Sequence, residues 1–128
     1  MKPHTRATTL HAKPSANFAD KLTATQAQLK AAAAELQPLK QASSLGAEDV
    51  VITHLINRLQ LDIPVFVLET GALHTETLAL LERTQAHSQA PIQVFRPVQS
   101  SVMAFVRERG QDAMYQSIEL RKACCQVR

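Results

Sequence analysis

The sequence is poor in aromatic residues and cysteine, and it contains no long apolar run. Its 128 residues include no tryptophan, one tyrosine and two cysteines. No stretch approaches the roughly 20 apolar residues that a transmembrane helix needs, so no membrane span is expected. Two adjacent cysteines do not form the disulfide framework of a small secreted domain, which favours a reducing compartment and a cytoplasmic location.

Length and charge limit the classes of function that the chain could have. The length is enough for one domain with a single modest core. A hydrophobic fraction of 45% is ordinary for a soluble fold and argues against disorder. The net charge of +3 suits a small anionic ligand. The basic residues are scattered and not interleaved with aromatics, so nucleic acid is not an expected partner.

The first sixteen residues differ in composition from the rest of the chain. They contain no acidic residue, three basic residues and two prolines. They lack the apolar core of a secretory signal. We therefore predict a flexible N-terminal tail over residues 1–16 and an ordered domain over residues 17–128.

Apolar residues alternate between helical and strand-like spacing along that domain. Helical spacing recurs in four segments, namely 17–36, 46–59, 75–86 and 100–109. Short apolar or β-branched runs predict buried strands at 63–68 and 92–95, and a weaker strand at 40–44. This alternation predicts an α/β fold, a parallel sheet with helices on both faces. Ligands bind such sheets at the carboxyl ends of the strands.

The first loop at that edge, SSLGAED, has the features of an anion site. Small side chains at Ser43, Ser44 and Gly46 let a ligand approach the backbone, and the N–H groups that open the next helix can hold an anion. Against this, Glu48 and Asp49 already satisfy the helix dipole and would repel a phosphate aimed at them. A plain strand-to-helix connection therefore stays open as the alternative.

The second loop, ETGALHTET, follows the next buried strand. Thr70 and Gly71 would lie beside the first loop and form the second wall of a nucleotide pocket. The alternative is a tight turn at Gly71 followed by a helix cap at Thr75. His74 could serve as a general acid or a ligand, although surface or capping histidines are more common. His54 is expected to pack among apolar neighbours.

The two cysteines, Cys124 and Cys125, are adjacent near the C-terminus. A single free cysteine is often a small buried hydrophobe, but neighbours on a helix diverge by about 100° and cannot both enter one core. Arg121, Lys122 and Arg128 surround the pair and favour the thiolate form, which binds metal. These cations could equally be a solvated helix end. Two cysteines supply half of the usual ligands of an iron-sulfur cluster.

Three segments in this order and at these separations, SSLGAEDVV, LETGALHTET and RKACCQVR, resemble the assimilatory adenylyl-sulfate and phosphoadenylyl-sulfate reductases. The resemblance covers roughly residues 40–128. It implies an adenine nucleotide alpha-hydrolase-like fold with a modified pyrophosphate loop, here truncated. The family's second cysteine pair and catalytic cysteine tail are expected after Arg128, so the chain would be the N-terminal part of a reductase domain and inactive alone.

The resemblance also implies a reaction and a cofactor. The family reduces a sulfonucleotide to sulfite, with thioredoxin as the electron donor, in sulfate assimilation and cysteine biosynthesis. Members with adjacent cysteines bind a 4Fe-4S cluster and generally prefer adenylyl sulfate, so Cys124 and Cys125 would be two of four cluster ligands. The substrate-binding residues that it implies are Ser43, Ser44, Gly46, Leu68, Thr70, Gly71, Arg121, Lys122 and Arg128.

The sequence departs from the family pattern in the second loop. Members usually read LDTGR, whereas this chain has Glu69 and Ala72, and Ala72 removes a cation from the edge of the pocket. Three alternatives stay open: a phosphoadenylyl-sulfate reductase, an ATP-pyrophosphatase-like nucleotide-binding module without redox chemistry, and a scaffold that another chain completes. Homo-oligomerisation is also possible.

Overall fold

The computed structural model describes residues 5–128, and the chain divides into two compact units with the boundary between Gln37 and Pro38. The N-terminal unit contains a one-turn helix, α1 (Ala7–Leu10), and a long helix, α2 (Phe18–Glu35). Helix α2 confirms the helix predicted for residues 17–36. It ends where Pro38 would prevent further helical hydrogen bonding. Helix α1 was not predicted, and residues 1–4 of the predicted tail lie outside the described residues.

The second unit alternates strands and helices along Pro38–Arg128. Its elements in chain order are β1 (Gln41–Ser43), α3 (Ala47–Arg58), β2 (Val65–Leu68), α4 (Thr75–His87), β3 (Ile92–Phe95), α5 (Gln99–Arg109), a 3-10 turn (Ala113–Tyr115) and α6 (Ile118–Val127). The predicted alternation is confirmed. Among the described residues, no helix has both the length and the apolar content to cross a membrane.

The three strands form one parallel sheet in the order β1-β2-β3. Ser43 pairs with Val67, and Leu68 pairs with Phe95, so the carboxyl ends of all three strands meet at one edge. Because crossover connections between parallel strands are right-handed, two successive steps in one direction place α3 and α4 on the same face. The loops after the strands therefore gather at a single edge.

Burial alternates along β2 and separates the two faces of the sheet. Val65 and Val67 are buried, whereas Phe66 is half-buried and Leu68 is exposed. Val67 packs with Leu45 and Leu81 in one core cluster. Since successive side chains of a strand point to opposite faces, the core lies on the Val65 and Val67 side.

The opposite face of the sheet carries apolar side chains that keep much of their exposure. Leu68 is 54% exposed and Phe95 is 45% exposed. Phe66 contacts Phe95 edge to face, with ring centroids 5.9 Å apart. This face therefore presents an apolar surface that runs up to the carboxyl edge of the sheet.

Leu45 turns the chain from β1 into α3. Its φ is +64°, in the left-handed region that is unfavourable for a branched side chain. The side chain is buried in the core with Val67 and Leu81. Burial of the side chain thus offsets a backbone strain of about 1–3 kcal/mol and holds the loop in one conformation.

Asn57 joins the end of α3 to the segment that enters β3. Its Oδ1 accepts hydrogen bonds from the backbone N–H groups of Gln89 at 2.8 Å and Ala90 at 2.9 Å. Its Nδ2 donates to the carbonyl of Thr53 at 3.0 Å. One partly buried amide therefore fixes the distance between α3 and the outer strand of the sheet.

Replacing Asn57 with alanine should lower the free energy of unfolding by about 2 kcal/mol, because two backbone donors lose their acceptor. Urea denaturation followed by circular dichroism measures this change. Gln89→Ala is the matched control, since it removes a neighbouring exposed amide but keeps the Gln89 N–H. Equal stability of the two variants would contradict the role assigned to Asn57.

Candidate functional site

The loop after β1 is closed by its own side chains. The backbone N–H and the hydroxyl of Ser44 both donate to Oδ2 of Asp49, at 2.7 Å each. The N–H of Leu45 donates to Oγ of Ser43 at 3.1 Å, and the N–H of Gly46 donates to Oγ of Ser44 at 3.2 Å. Each N–H group from Ser44 to Gly46 therefore has an acceptor inside the loop.

These bonds hold Asp49 in its ionised form. The backbone N–H of Ser44 and then its hydroxyl hold the pKa of the Asp49 carboxyl below its ordinary value, against a smaller opposite effect of desolvation. Asp49 lies in the first turn of α3, as predicted. Its carboxylate therefore binds the loop residue Ser44.

The start of α3 leaves backbone donors open. The first intrahelical bond runs from the N–H of Val50 to the carbonyl of Gly46. Within residues 5–128, the N–H groups of Ala47, Glu48 and Asp49 have no acceptor. A Cβ on Gly46 would lie 3.2 Å from Oγ of Ser44 and 3.3 Å from Oε1 of Glu48, so the turn fits glycine closely. This end of the helix can accept an anion.

A cleft of about 400 Å³ lies between the ends of β1 and β2, and we name it the apolar cleft. Ser43, Ser44 and Asp49 form its polar rim. Leu73, from the loop after β2, contributes to its wall. The other lining residues are Ala42, Phe66, Val67 and Leu68. Its mainly apolar walls suit the flat face of an aromatic base.

A second cleft, of about 450 Å³, lies between the ends of β2 and β3, and we name it the arginine cleft. Arg96, Arg107 and Arg128 line it, together with the single carboxylate of Glu69. Three guanidinium groups against one carboxylate give the cleft an excess of positive charge. A small anion with several oxygens fits this charge and donor set.

Arg128 is anchored in the arginine cleft by the loop after β2. Its Nη1 donates to the carbonyl of Thr70 at 2.6 Å. Gly71 has a φ of +79°, and a Cβ on it would lie 3.4 Å from the same Nη1. Its N–H donates to Oε1 of Glu69 at 2.8 Å, while Oε2 of Glu69 lies 3.6 Å from Nε of Arg96. One short loop thus contacts two of the three arginines.

The two cysteines differ in accessibility. Cys124 is buried and Cys125 is exposed on α6, in agreement with the predicted divergence of neighbouring helical side chains. Between residues 5 and 128 there is no group of three or more histidine, cysteine, aspartate or glutamate residues that could hold a metal ion. Within the described residues, the two thiols stand without a third ligating side chain beside them.

Residues 38–128 match the family of the phosphoadenosine phosphosulfate reductase domain. The chain belongs to this family. The match covers the whole second unit, from β1 to α6, and therefore includes both clefts and both cysteines.

Curated relatives of this domain are named adenosine 5'-phosphosulfate reductases. Those of Burkholderia cepacia and Neisseria meningitidis serogroup B are 44% identical over 90 residues and 49% identical over 88 residues. The matches cover 70% and 68% of this chain and 36% of each relative. The protein of Allochromatium vinosum is 43% identical over 94 residues, which are 73% of this chain and 37% of that protein. The chain therefore spans little more than a third of the length of these relatives.

A solved structure has the same fold. The phosphoadenylyl-sulfate reductase of Candida auris, in a phosphate complex, superimposes with a TM-score of 0.63 over 84% of this chain and 56% of that one. The sequence identity is 20%, so this similarity bears on the fold alone. It agrees with the predicted α/β class of the reductase domain.

The nine substrate-binding residues predicted for the reductase domain fall into four sets. Those in the apolar cleft are Ser43, Ser44 and Leu68, and those in the arginine cleft are Thr70, Gly71 and Arg128. Gly46 caps α3 next to the apolar cleft. Arg121 and Lys122 line neither cleft, because Nε of Arg121 donates to the carbonyl of Met114 at 3.3 Å and Lys122 is exposed.

Sequence reasoning missed Arg96, Arg107 and Leu73. Arg96 directly follows β3, so the rule that points to the two loops could have found it. Arg107 lies in α5, where a surface arginine carries no special signal. Leu73 is an apolar residue in an otherwise polar loop, which was the available hint of a cleft wall.

The expected packing of His54 was wrong, and the alternative of a helix cap at Thr75 is not found. His54 is exposed on α3, whereas packing among apolar neighbours was expected, since the buried positions beside it are Thr53 and Leu55. The N-cap of α4 is His74, without a side-chain capping bond, and Thr75 is already the first helical residue. Gly71 lies at a bend with a positive φ, which agrees with the conformational freedom of glycine that the alternative invoked.

The burial difference predicts unequal reactivity of the two thiols. Cys125 should react with iodoacetamide at least about tenfold faster than Cys124, because Cys124 becomes accessible only after local opening. Mass spectrometry over time on the separate variants Cys124→Ser and Cys125→Ser distinguishes the two rates. Similar rates in both variants would show that the burial of Cys124 does not hold in solution.

Proposed function

We propose that this chain is the sulfonucleotide-binding part of an assimilatory sulfonucleotide reductase, an enzyme that reduces adenylyl sulfate to sulfite and AMP with thioredoxin as the electron donor. The observation that carries the proposal is the pair of clefts at one sheet edge, apolar beside cationic, in a domain of this family. Adenylyl sulfate has the same division, since its base is flat and largely apolar and its phosphosulfate is anionic.

The base is assigned to the apolar cleft. Leu68 and Leu73 offer apolar surface in its lining, and Phe66 contributes an aromatic ring. Ser43 and Ser44 are at the rim, where the open N–H groups of α3 begin. In this placement the 5'-phosphate lies at the rim, within reach of the N–H groups of Ala47 to Asp49.

The sulfate end of the phosphosulfate is assigned to the arginine cleft. Arg128 already donates to the carbonyl of Thr70, so little side-chain entropy is lost when its remaining N–H groups meet an anion. Arg96 lies at the same cleft, and among residues 5–128 the side-chain contact that holds it is one of 3.6 Å to Glu69. These cations would also stabilise the negative charge of AMP as it leaves.

The reaction proposed for the intact enzyme is nucleophilic attack by a cysteine thiolate on the sulfur of adenylyl sulfate. The S–O bond to the nucleotide breaks and AMP leaves with the electron pair. The dithiol of thioredoxin then attacks the resulting S-sulfocysteine, releases sulfite and becomes a disulfide, so two electrons are transferred. We assign binding and orientation to this chain, and no nucleophile among residues 5–128.

Cys124 and Cys125 are proposed as two of the four ligands of a 4Fe-4S cluster. Their adjacency, their position on one helix and the nearby Arg121 and Lys122 suit half of such a site. The other two ligands would come from a second copy of the chain or from a segment outside the described residues. When bound, the cluster would supply a charged inorganic centre whose field acts on the bound anion. A cytoplasmic location fits a cluster held by reduced cysteines.

A phosphoadenylyl-sulfate reductase is the second candidate. The observation that favours it is the number of arginines in the arginine cleft, since three exceed what a phosphosulfate alone needs. The binding affinities of AMP and adenosine 3',5'-bisphosphate distinguish the two candidate functions. Only a site for the 3'-phosphorylated substrate should bind the bisphosphate more tightly than AMP. A preference of more than about tenfold for the bisphosphate would favour this candidate.

Calorimetric titration with adenylyl sulfate tests the proposed binding function. The wild-type chain should bind, and Arg128→Ala should bind about tenfold more weakly, because a charge-assisted contact is lost. Arg121→Ala is the matched control, an arginine on the same helix outside both clefts, and should stay within about twofold. Absence of binding, or equal losses in the two variants, would contradict the proposal.

Anaerobic reconstitution with iron and sulfide tests the proposed cluster. We expect the wild-type chain to take up iron and absorb in the visible range, with two copies completing the ligand set. Cys124→Ser and Cys125→Ser should each lose both signals, whereas His74→Ala should keep them. Iron uptake that survives both cysteine substitutions would rule out the pair as ligands.

A further inference from the structure

Asp49 presents a contradiction in the proposed nucleotide site. It lines the apolar cleft together with Ser43 and Ser44, at the place where the phosphate of a nucleotide would approach. By charge alone, a carboxylate in this position should weaken the binding of an anion. The hydrogen bonds of Asp49 indicate a different role.

The carboxylate of Asp49 orders the whole loop through Ser44. Oδ2 accepts both the N–H and the hydroxyl of Ser44 at 2.7 Å. Oγ of Ser44 in turn accepts the N–H of Gly46 at 3.2 Å. A continuous chain of hydrogen bonds thus leads from the helix cap through the serine to the carboxylate, and members of such a chain strengthen one another.

Asp49 is itself fixed by buried groups. Its carbonyl accepts a hydrogen bond from Nε2 of Gln41 at 2.9 Å, and the hydroxyl of Thr53 lies 3.1 Å from the same oxygen. That hydroxyl also donates to Oε1 of Gln41 at 2.7 Å, and Thr53 is 5% exposed. The carboxylate therefore projects from a rigid base shared by β1 and α3.

We propose that Asp49 is a positioning residue for nucleotide binding, whose hold on Ser44 shapes the rim of the apolar cleft and outweighs its own repulsion of the ligand. The ligand class is the 5'-phosphate of an adenine nucleotide. This inference rests on the proposed function. It assigns Asp49 no contact with the substrate, because its effect passes through Ser44 and Gly46.

Glu48 provides a matched control for this proposal. It stands in the same first turn of α3 and carries the same charge. In the described part of the chain its carboxylate makes no hydrogen bond or ion pair. Charge alone predicts that Asp49→Asn and Glu48→Gln both tighten the binding of an anion. The positioning role predicts that Asp49→Asn weakens binding and Glu48→Gln does not.

Calorimetric titration with AMP distinguishes these predictions. Asp49→Asn should weaken binding about fivefold or more, since the Ser44 pair loses its ionised acceptor. Glu48→Gln should leave binding unchanged or tighten it by up to about threefold. Binding by Asp49→Asn as tight as wild type or tighter overturns the inference and leaves the proposed function standing. Failure of the wild-type chain to bind AMP overturns both.

A double-mutant cycle tests whether Asp49 acts through Ser44. The loss of AMP affinity caused by Asp49→Asn should be smaller in a Ser44→Ala background than in the wild type. An equal loss in both backgrounds would contradict the proposed route. Asp49→Glu, which keeps an ionised acceptor, should recover part of the affinity, and no recovery would argue against positioning.

Thermal unfolding of each variant separates positioning from loss of structure. If Asp49→Asn does not fold, Ser44→Ala decides the question alone, because it removes the hydroxyl donor to Asp49 and the acceptor for Gly46. Ser44→Ala should then bind AMP several-fold more weakly than wild type. Wild-type affinity in that variant would overturn the inference.

Discussion

The parallel pairing of β2 with both of its neighbours is the interaction on which the rest of the second unit depends. Because β2 is hydrogen-bonded to β1 on one side and β3 on the other, three loops far apart in the chain leave the sheet at one edge. Val65 and Val67 fix this register, since a shift by one residue would turn both buried side chains away from the core. Both clefts are spaces between the ends of paired strands.

The fold could be predicted because its central strand is an apolar run and its helices are amphipathic, although the structure buries only one face of β2. IPVFVL has no polar residue and Pro38 ends a helical pattern. Periodicity and chain breakers were therefore sufficient to predict the order of strands and helices. The loops at Ser44 and Gly71 followed from the rule for parallel sheets. The contacts of Asp49 did not, because a sequence gives the charge of a carboxylate but not the direction in which its rotamer points. Arg107 likewise became part of the site only through the placement of α5.

Main-chain groups and side chains both form the candidate site, and each orients the other. At the first loop, backbone N–H groups are either satisfied by Ser43, Ser44 and Asp49 or left open at the start of α3. At the second loop, the carbonyl of Thr70 orients a guanidinium that the loop itself could not supply. Preorganisation of this kind lowers the cost of ordering groups around a ligand. It also explains why a residue that would repel an anion, Asp49, can stand beside an anion site.

The two clefts differ in the length of chain that must be ordered before each exists. The bond between Ser44 and Asp49 spans 5 residues, whereas the bond from Arg128 to Thr70 spans 58. The entropy cost of loop closure rises slowly with that span, so the contact of Arg128 is the more costly of the two to form. The rim of the apolar cleft is therefore a local structure. Arg128 reaches the arginine cleft only when the end of α6 is docked, so its share of the positive charge there depends on a long-range contact.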